Sequence, residues 1–460
     1  MNFTSLEFVI FFPAVLLVYW LMPGRGRWIL LLGASYLFYM DGSLLLGALL
    51  LFTTGVSYAA ALRIGQASNG ERKGFAKAWM CVALVCCLGS LFLFKREGFL
   101  VAGISFYTFQ TLAYVLDVYH GRISPERHFG YYALFVSFFP QLVAGPIERT
   151  ENLLPQLKKV HAWNRDNLAD GCWLLLRGFY KKLVVADYLA AFVDVVYAAP
   201  EKAGGLGVVM ATLFFAVQIY CDFSGYTDIA RGAALLLGVR LMENFKAPYG
   251  ARNIREFWQR WHISLTKWFT DYVYIPLGGS RRGKWRHCRN ICIVFLLSGL
   301  WHGLSWNYAA WGLMHGACFV LYILYTSRRA GSCGKSGVRR VSARFATLSF
   351  VCFSWIFFRA ESIGAAGQAA LQIVFHFADR GILQTLQWMK LQGIDLFLLP
   401  LALFCLRFAE RTPDTVFRVK TVKETAKAAF LGFYMVNAVI LSWLIRMAAD
   451  GGNTFIYFRF

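Results

Sequence analysis

Acidic residues are scarce in this 460-residue chain: 25 Asp and Glu stand against 47 Lys and Arg, and charged residues make up only 16% of it. An average soluble domain carries roughly 25%, so a soluble globular fold is excluded. The 11 cysteines form no CxxC pair and lie mostly within apolar segments, which argues against a disulfide framework or a zinc site. Cys288 and Cys292, one turn apart beside His287, read as small helix residues rather than ligands, so no metal is expected. No GxSxG elbow, HExxH pair or helix-opening GxGxxG occurs, and GSCGKSG lacks phosphate-loop spacing because residue 329 is Arg. No nucleic-acid motif accompanies the net charge of +22, so no nucleic-acid partner is expected. No Lys or Arg precedes the first apolar stretch, Phe8 to Met22, so the charged start of a cleaved signal peptide is missing and the segment is expected to stay as a membrane helix.

What is abundant is apolar sequence, 58% of all residues. Runs of about 15 to 22 apolar residues recur as far as residue 448, each near the length that crosses a hydrocarbon core as a helix. The expectation is an all-α polytopic membrane protein, one integral-membrane domain over 1–460 with about 11 or more transmembrane helices. The cations fall in short loops between these runs, as the positive-inside rule and contact with anionic membrane lipids require. Arg25 and Arg27 directly follow the first helix, which puts the N-terminus outside and this loop in the cytoplasm. Helices at about 28–40, 43–62, 78–94 and 99–120 return the basic loops Arg63 to Lys77 and Arg122 to Arg127 to the same side.

From 129 to 275 the pattern degrades. Arg149, Lys158, Lys159, Arg177, Lys181 and Lys182 interrupt short aromatic segments, and half-helices, re-entrant turns and surface helices are expected. Irregular backbone at membrane depth is tolerated where protein buries it or it lines a cavity, so a site belongs here. Beyond the basic loop Arg281 to Arg289, apolar segments at about 291–306 and 308–326 form a hairpin ending in the basic loop Arg328 to Arg344. Helices at about 344–359, 394–408 and 429–447 then leave a neutral outer loop near 361–392 and an outer C-terminus.

An ionisable group deep in a membrane segment is costly and marks function by default. His302 lies 13 residues past Arg289, about 20 Å into a core about 30 Å thick. The string SGLWHGLSW places Ser298, His302 and Ser305 on one helical face, a spacing that lets a hydroxyl orient the ring or share a proton with it. The same string supports a packing role, because Gly299 and Gly303 form a GxxxG face. In REFWQRWHISLTKWF, Trp258, Trp261, His262, Leu265, Trp268 and Phe269 follow a helical stripe, which predicts an amphipathic interfacial helix with His262 as a functional group or part of an aromatic anchor. His315, on the return arm of the hairpin, is read the same two ways. Asp222 and Asp228 adjoin apolar segments, with Arg231 three residues beyond Asp228, so internal charge pairing competes with function there. In GGSRRGKWRHCR, the cations Arg281, Arg282, Lys284 and Arg286 around glycines can hold the phosphates of a donor such as coenzyme A, or fix topology.

The strings GISFYTFQTLAYVLDVYHG (103–121), FFPQLVAGPI (138–147), IYCDFSGYTDIARGAALLLGVRLMENFKAPY (219–249), ARNIREFWQRWHISLTKWFTDYVYIPLGG (251–279), SGLWHGLSWNYAAWGLMHG (298–316) and FIYFRF (455–460) closely resemble the membrane-bound O-acyltransferase (MBOAT) family. The resemblance is densest over 103–316 and favours the bacterial branch that includes the membrane subunit of alginate O-acetyltransferase; the teichoic-acid D-alanyl transferase is a more distant likeness. VAGISFYTFQ stands where that branch has LPxGISFYTFQ. The resemblance implies a ring of tilted helices with re-entrant and half helices around a central funnel. It also implies His302 as the essential histidine and His262 as the second motif residue, with His315 in a further motif.

The expected reaction moves an acyl group, acetyl above others, from a cytoplasmic thioester such as acetyl-CoA toward hydroxyls of an extracytoplasmic polysaccharide, with no bound cofactor. An activated thioester needs chiefly a base and oxyanion stabilisation, and a buried neutral His302 can be that base. Ser298 and Ser305 stay open as nucleophiles. The chain shows no outer domain able to hold a polymer, so a periplasmic acetyltransferase or small acceptor subunit is expected as partner, in the bacterial inner membrane. A transporter or flippase without covalent chemistry, and an inactive scaffold, are the competing classes.

Overall fold

The structure, a computed structural model, describes residues 1–40, 43–67, 73–96, 103–328, 337–379, 381–391, 393–411, 429 and 431–442. Among these residues there are helices and loops and no strand. The terminal FIYFRF and parts of the basic loops after 63 and 328 lie outside them. The described residues form two compact units, one from Met1–Phe179 with Tyr226–Glu243, the other from Tyr180–Gly225 with 244–411.

The first unit opens with α1 (Leu6–Leu21), α2 (Arg27–Met40), α3 (Leu44–Ala67), α4 (Lys73–Arg96) and α5 (Ile104–Tyr119), close to the hydropathy reading. Their outward faces are apolar: Leu17, Leu21, Leu44, Val85 and Leu93 are all more than half exposed. In water that would be an aggregation surface; in a bilayer it faces lipid tails. The inward face of α3 carries Thr53, Thr54 and Ser57, each fully buried. Their hydroxyls donate to the carbonyls one turn back, so no polar group is left unmatched there.

Short helices follow: α6 (Phe129–Ser137), α7 (Phe139–Leu142), α8 (Thr150–Lys158) and α9 (Arg165–Phe179). The motif strings of this region hold them together. Gln110 of α5 donates to the Phe135 carbonyl at 2.7 Å and receives Gln141 of the FFPQ string. Gly103, at φ +77°, lies so close to the Leu142 carbonyl oxygen that a Cβ would sit 2.5 Å from it. Glu148 is fully buried and accepts from the Met242 backbone N–H and from Asn152, both at 2.6 Å.

A π-helical segment, Tyr180–Ala186, leads into α10 (Asp187–Ala198) and α11 (Pro200–Leu236). The region expected to hold half-helices, re-entrant turns and surface helices has short helices and also the longest described one, α11, broken at Gly204 (φ +70°). Its buried acids are matched. Asp228 takes a two-point bond from Arg177 at 2.9 and 2.9 Å, with Arg231 at 3.6 Å. Lys182 reaches both Asp222 at 2.6 Å and Asp187 at 2.9 Å, with only 1% of its side chain exposed. Two of the six cations that seemed to interrupt spans, Arg177 and Lys182, are the buried partners of these carboxylates.

The second unit continues through α12 (Ile254–Trp258), α13 (Ile263–Phe269), the π-helical turn Thr270–Tyr274, α14 (Lys284–His302), α15 (Trp306–Arg328) and α16 (Gly337–Arg359). The expected hairpin of α14 and α15 is present and turns at 303–305. The neutral outer loop expected near 361–392 instead carries α17 (Ile363–Phe375) and α18 (Ile382–Trp388), before α19 (Asp395–Arg411). Ala369 of α17 and Met389 just beyond α18 are buried in an apolar cluster with Phe192, Val196, Val208 and Ile356. Five described helices, α3, α4, α11, α15 and α16, are long and apolar enough to cross a membrane, and α1, α17 and Leu431–Ser442 are shorter apolar helices. The chain is a multi-pass membrane protein.

Candidate active site

His302 is the last residue of α14. Gly303 follows with extended backbone, φ −170°, and the chain leaves the helix there. Two glycines fix what lies opposite. A Cβ on Gly299 would meet the Tyr308 carbonyl oxygen at 2.2 Å, and one on Gly312 would meet the Phe295 carbonyl oxygen at 2.3 Å. The two arms of the hairpin therefore touch backbone to backbone, as the packing reading of the string expects for Gly299.

Aromatic rings hold the His302 imidazole, which is only 4% exposed. Trp301, Phe358 and Trp311 pack edge-on against it with centroids at 4.7, 5.0 and 5.4 Å.

His262 is buried to 1%. Its stripe does not form the expected continuous interfacial helix: α12 stops at Trp258, α13 starts at Ile263, and Trp258, Trp261, Leu265, Trp268 and Phe269 are all buried. His262 itself occupies the left-handed region, φ +43°, ψ +54°, which costs a non-glycine residue about 1–2 kcal/mol. Asn244 holds it there. The Asn244 side-chain oxygen accepts from Ser264 N–H at 3.1 Å and Ser264 Oγ at 2.9 Å, and lies 3.2 Å from His262 Nδ1. The Asn244 carbonyl takes the Ile263 N–H at 3.0 Å. Trp301 lies between the two motif histidines, its ring 6.1 Å from His262 and 4.7 Å from His302.

The remaining sequence candidates divide. Ser298 lies one turn before His302 on α14 and is buried to 5%. Ser305 is not on that helical face, because α14 has already ended; its hydroxyl bonds Asn307, whose amide donates to the Ala360 carbonyl at 2.8 Å. His315 is fully buried, 2.9 Å from Ser354 Oγ, which in turn donates to the Val351 carbonyl at 2.7 Å. A hydroxyl has one proton, so His315 Nε2 is the donor in that pair. His315 packs at a tilt against Trp311, centroids 4.9 Å apart, and so supports the ring that flanks His302. Asp222 is committed to Lys182, while its neighbour Phe223 packs edge-on against His262 at 4.7 Å.

A cavity of about 830 Å³ runs along this hairpin. On α14 its wall is His287, Ile291, Val294, Phe295 and Ser298; on α15 it is Phe319, Tyr322, Ile323, Thr326 and Ser327. It therefore extends from the loop end of both helices to the turn of helix before His302. Opposite stand Arg255, Trp258 and Tyr274, the last with its hydroxyl 2.6 Å from His287 Nδ1. Arg281, Arg282, Lys284 and Arg286 are exposed and lie between two wall residues, Ser280 and His287. Sequence reasoning missed Arg255, Asn244, Ser354 and the tryptophans that hold the rings. The partners of Asn244 and Ser354 lie 18 and 39 residues away in the chain, and only the buried polar character of Asn244 could have drawn notice.

Comparisons with known proteins give the family. Residues 126–363 match the family described as MBOAT, membrane-bound O-acyltransferase. A protein named "Probable alginate O-acetylase" from Pseudomonas putida is 34% identical with both chains covered in full. One of the same name from Azotobacter vinelandii is 37% identical over 82% of this chain and 79% of that protein. A "Peptidoglycan O-acetyltransferase" from Helicobacter pylori is 32% identical over 79% and 77%. The chain belongs to the membrane-bound O-acyltransferase family and is an O-acyltransferase.

Proposed function

We propose that this protein moves an acetyl group from a cytoplasmic thioester, acetyl-coenzyme A, toward hydroxyls of a polysaccharide outside the inner membrane. The observation that carries the reading is the row His287, Ile291, Val294, Ser298 along one cavity wall, which His302 continues by one more turn. A long, thin donor fits such a space, with its phosphates near the cations at 281–286 and Arg255 and its thioester near Ser298 and His302. In that pose the acceptor hydroxyl gives its proton to His302 as its oxygen attacks the thioester carbonyl. The C–S bond breaks, the C–O ester forms, and the proton passes to the departing thiolate to leave a free thiol. His262, held in a strained conformation beside Trp301, orients the reacting groups.

The relatives named above act, by name, on alginate and on peptidoglycan, and this supports a glycan acceptor. The basic loops give the orientation: Arg25 and Arg27 and the loop 281–289 lie in the cytoplasm, and the N-terminus lies outside. The acyl group then passes to a periplasmic acetyltransferase or small acceptor subunit, which carries it to the polymer. Reconstitution in liposomes tests this directly. Acetyl-coenzyme A on the 281–289 side should give acetylated polymer only with the partner on the other side. Activity with donor on the opposite face would overturn the orientation, and efficient polymer acetylation without a partner would overturn the relay.

A further inference from the structure

A second pocket, of about 280 Å³, lies in the first unit, far along the chain from the motif histidines. Two short loops make it, one after α1 and one after α8. Its lining contains Arg25, Arg27, Lys158 and Lys159 together with His161, and not one carboxylate. Trp28, Tyr19 and Tyr131 supply aromatic wall.

The pocket is a built structure. Arg27 staples the loops: its guanidinium donates to the His161 carbonyl at 2.7 Å and the Met22 carbonyl at 3.2 Å, and sits 4.8 and 4.9 Å over the Tyr19 and Trp20 rings. Gly24 and Val160 touch so closely that a Cβ on Gly24 would lie 2.4 Å from the valine side chain. His161 is pinned by the Gln156 carbonyl at 2.8 Å and by the turn at Gly238 beneath its ring. Burial lowers the His161 pKa, and the charges of Lys159 and Arg27 push it the same way, as a locally positive field would. Lys158 is engaged by Glu126. Arg25 and Lys159 are exposed, and neither faces a carboxylate among the described residues.

We propose that this pocket binds a phosphate group, and that the phosphate is that of an anionic phospholipid head group. Two cations with further hydrogen-bond donors form the chemistry that recognises phosphate. The surroundings select the lipid as its source. Leu17 and Leu21 on the last turn of α1, Val160 and Trp163 are 63%, 76%, 58% and 57% exposed, so apolar surface adjoins the cations. Trp163 also packs edge-on against Trp20 at 5.4 Å, the kind of aromatic pair found at head-group level. A diester phosphate in the pocket leaves its acyl chains along that apolar edge, whereas a free phosphate has no use for it.

The test compares lipid retention by native mass spectrometry and thermal unfolding, using protein exchanged into phosphatidylglycerol or phosphatidylcholine. The double variant R25A/K159A should retain phosphatidylglycerol about thirtyfold less well, since each cation near a membrane surface is worth roughly fivefold. R339A/R340A, which removes the same charge from another exposed basic segment, should lose far less. Inorganic phosphate at millimolar level should not reproduce the stabilisation given by phosphatidylglycerol. Equal retention by R25A/K159A and wild type would overturn the site; stabilisation by inorganic phosphate equal to that by the lipid would overturn the lipid assignment.

Discussion

Adding one methyl group at Gly299 should disable the enzyme without removing any chemical group from it. In Gly299→Ala the new Cβ would stand 2.2 Å from the Tyr308 carbonyl oxygen and 3.1 Å from its carbon, both of them backbone atoms that cannot rotate away. Carbon and oxygen need about 3.2 Å, so α14 and α15 must separate by about 1 Å, at an overpacking cost of about 1–3 kcal/mol. His302 lies three residues further along the same helix, and Trp311, which flanks it, lies on the other. A misplacement of about 1 Å at reacting groups costs on the order of a hundredfold in rate. We therefore expect acyl transfer to fall about a hundredfold in a variant that still inserts and purifies. The reference variant is Gly89→Ala on α4, where nothing lies within 4 Å of the new methyl; replacing a helical glycine there should be neutral or stabilise by up to about 1 kcal/mol. The assay is coenzyme A release with acceptor present, alongside thermal unfolding of both variants. Wild-type rate in Gly299→Ala would refute the claim that close contact of the hairpin positions His302.

Other expectations follow from single contacts. Asp228→Ala strands the buried Arg177 guanidinium and should destabilise by about 3–5 kcal/mol, whereas Asp228→Asn, which keeps an acceptor, should lose less; detergent-phase melting separates them. Asn244→Ala removes the acceptor at the left-handed His262, and should lower the rate more than tenfold while His262→Asn, a residue that tolerates this conformation, keeps the backbone folded; turnover and melting of both variants check this. Burial raises the Glu126 pKa, but Lys158 and the His128 N–H outweigh it and hold the carboxyl below its usual range. Its stabilisation is thus complete above the unfolded pKa of about 4.3 and lost as pH falls through the lower folded value. The melting advantage of wild type over Glu126→Gln should be constant above about pH 5 and vanish toward pH 3.

Hydropathy located α1 to α5 and the α14–α15 hairpin within a few residues, because a lipid-facing helix shows its environment in every residue. The reading of 129–275 as broken segments passed over α11, although it is as apolar as α3; its buried Asp222 and Asp228 are matched by Lys182 and Arg177, 40 and 51 residues earlier in the chain. Such pairing has no local signature. The stripe around His262 was visible, yet its placement was not, since a buried aromatic stripe and an interfacial one share the same spacing. The break at 259–262 depends on Asn244, 18 residues away from His262. Ser305 shows the complementary error: spacing put it beside His302, and the helix end at Gly303 turned it toward Asn307.

In the proposed reaction His302 is the base that takes the acceptor proton. The measurement is coenzyme A release and polymer acetylation by wild type and His302→Ala in sealed liposomes, each shown to be folded by its melting temperature, with the periplasmic partner present. The account predicts loss of both products in His302→Ala by at least a hundredfold with an unchanged melt, in keeping with the loss of general-base catalysis. Acetylation within a few-fold of wild type would remove His302 from the mechanism.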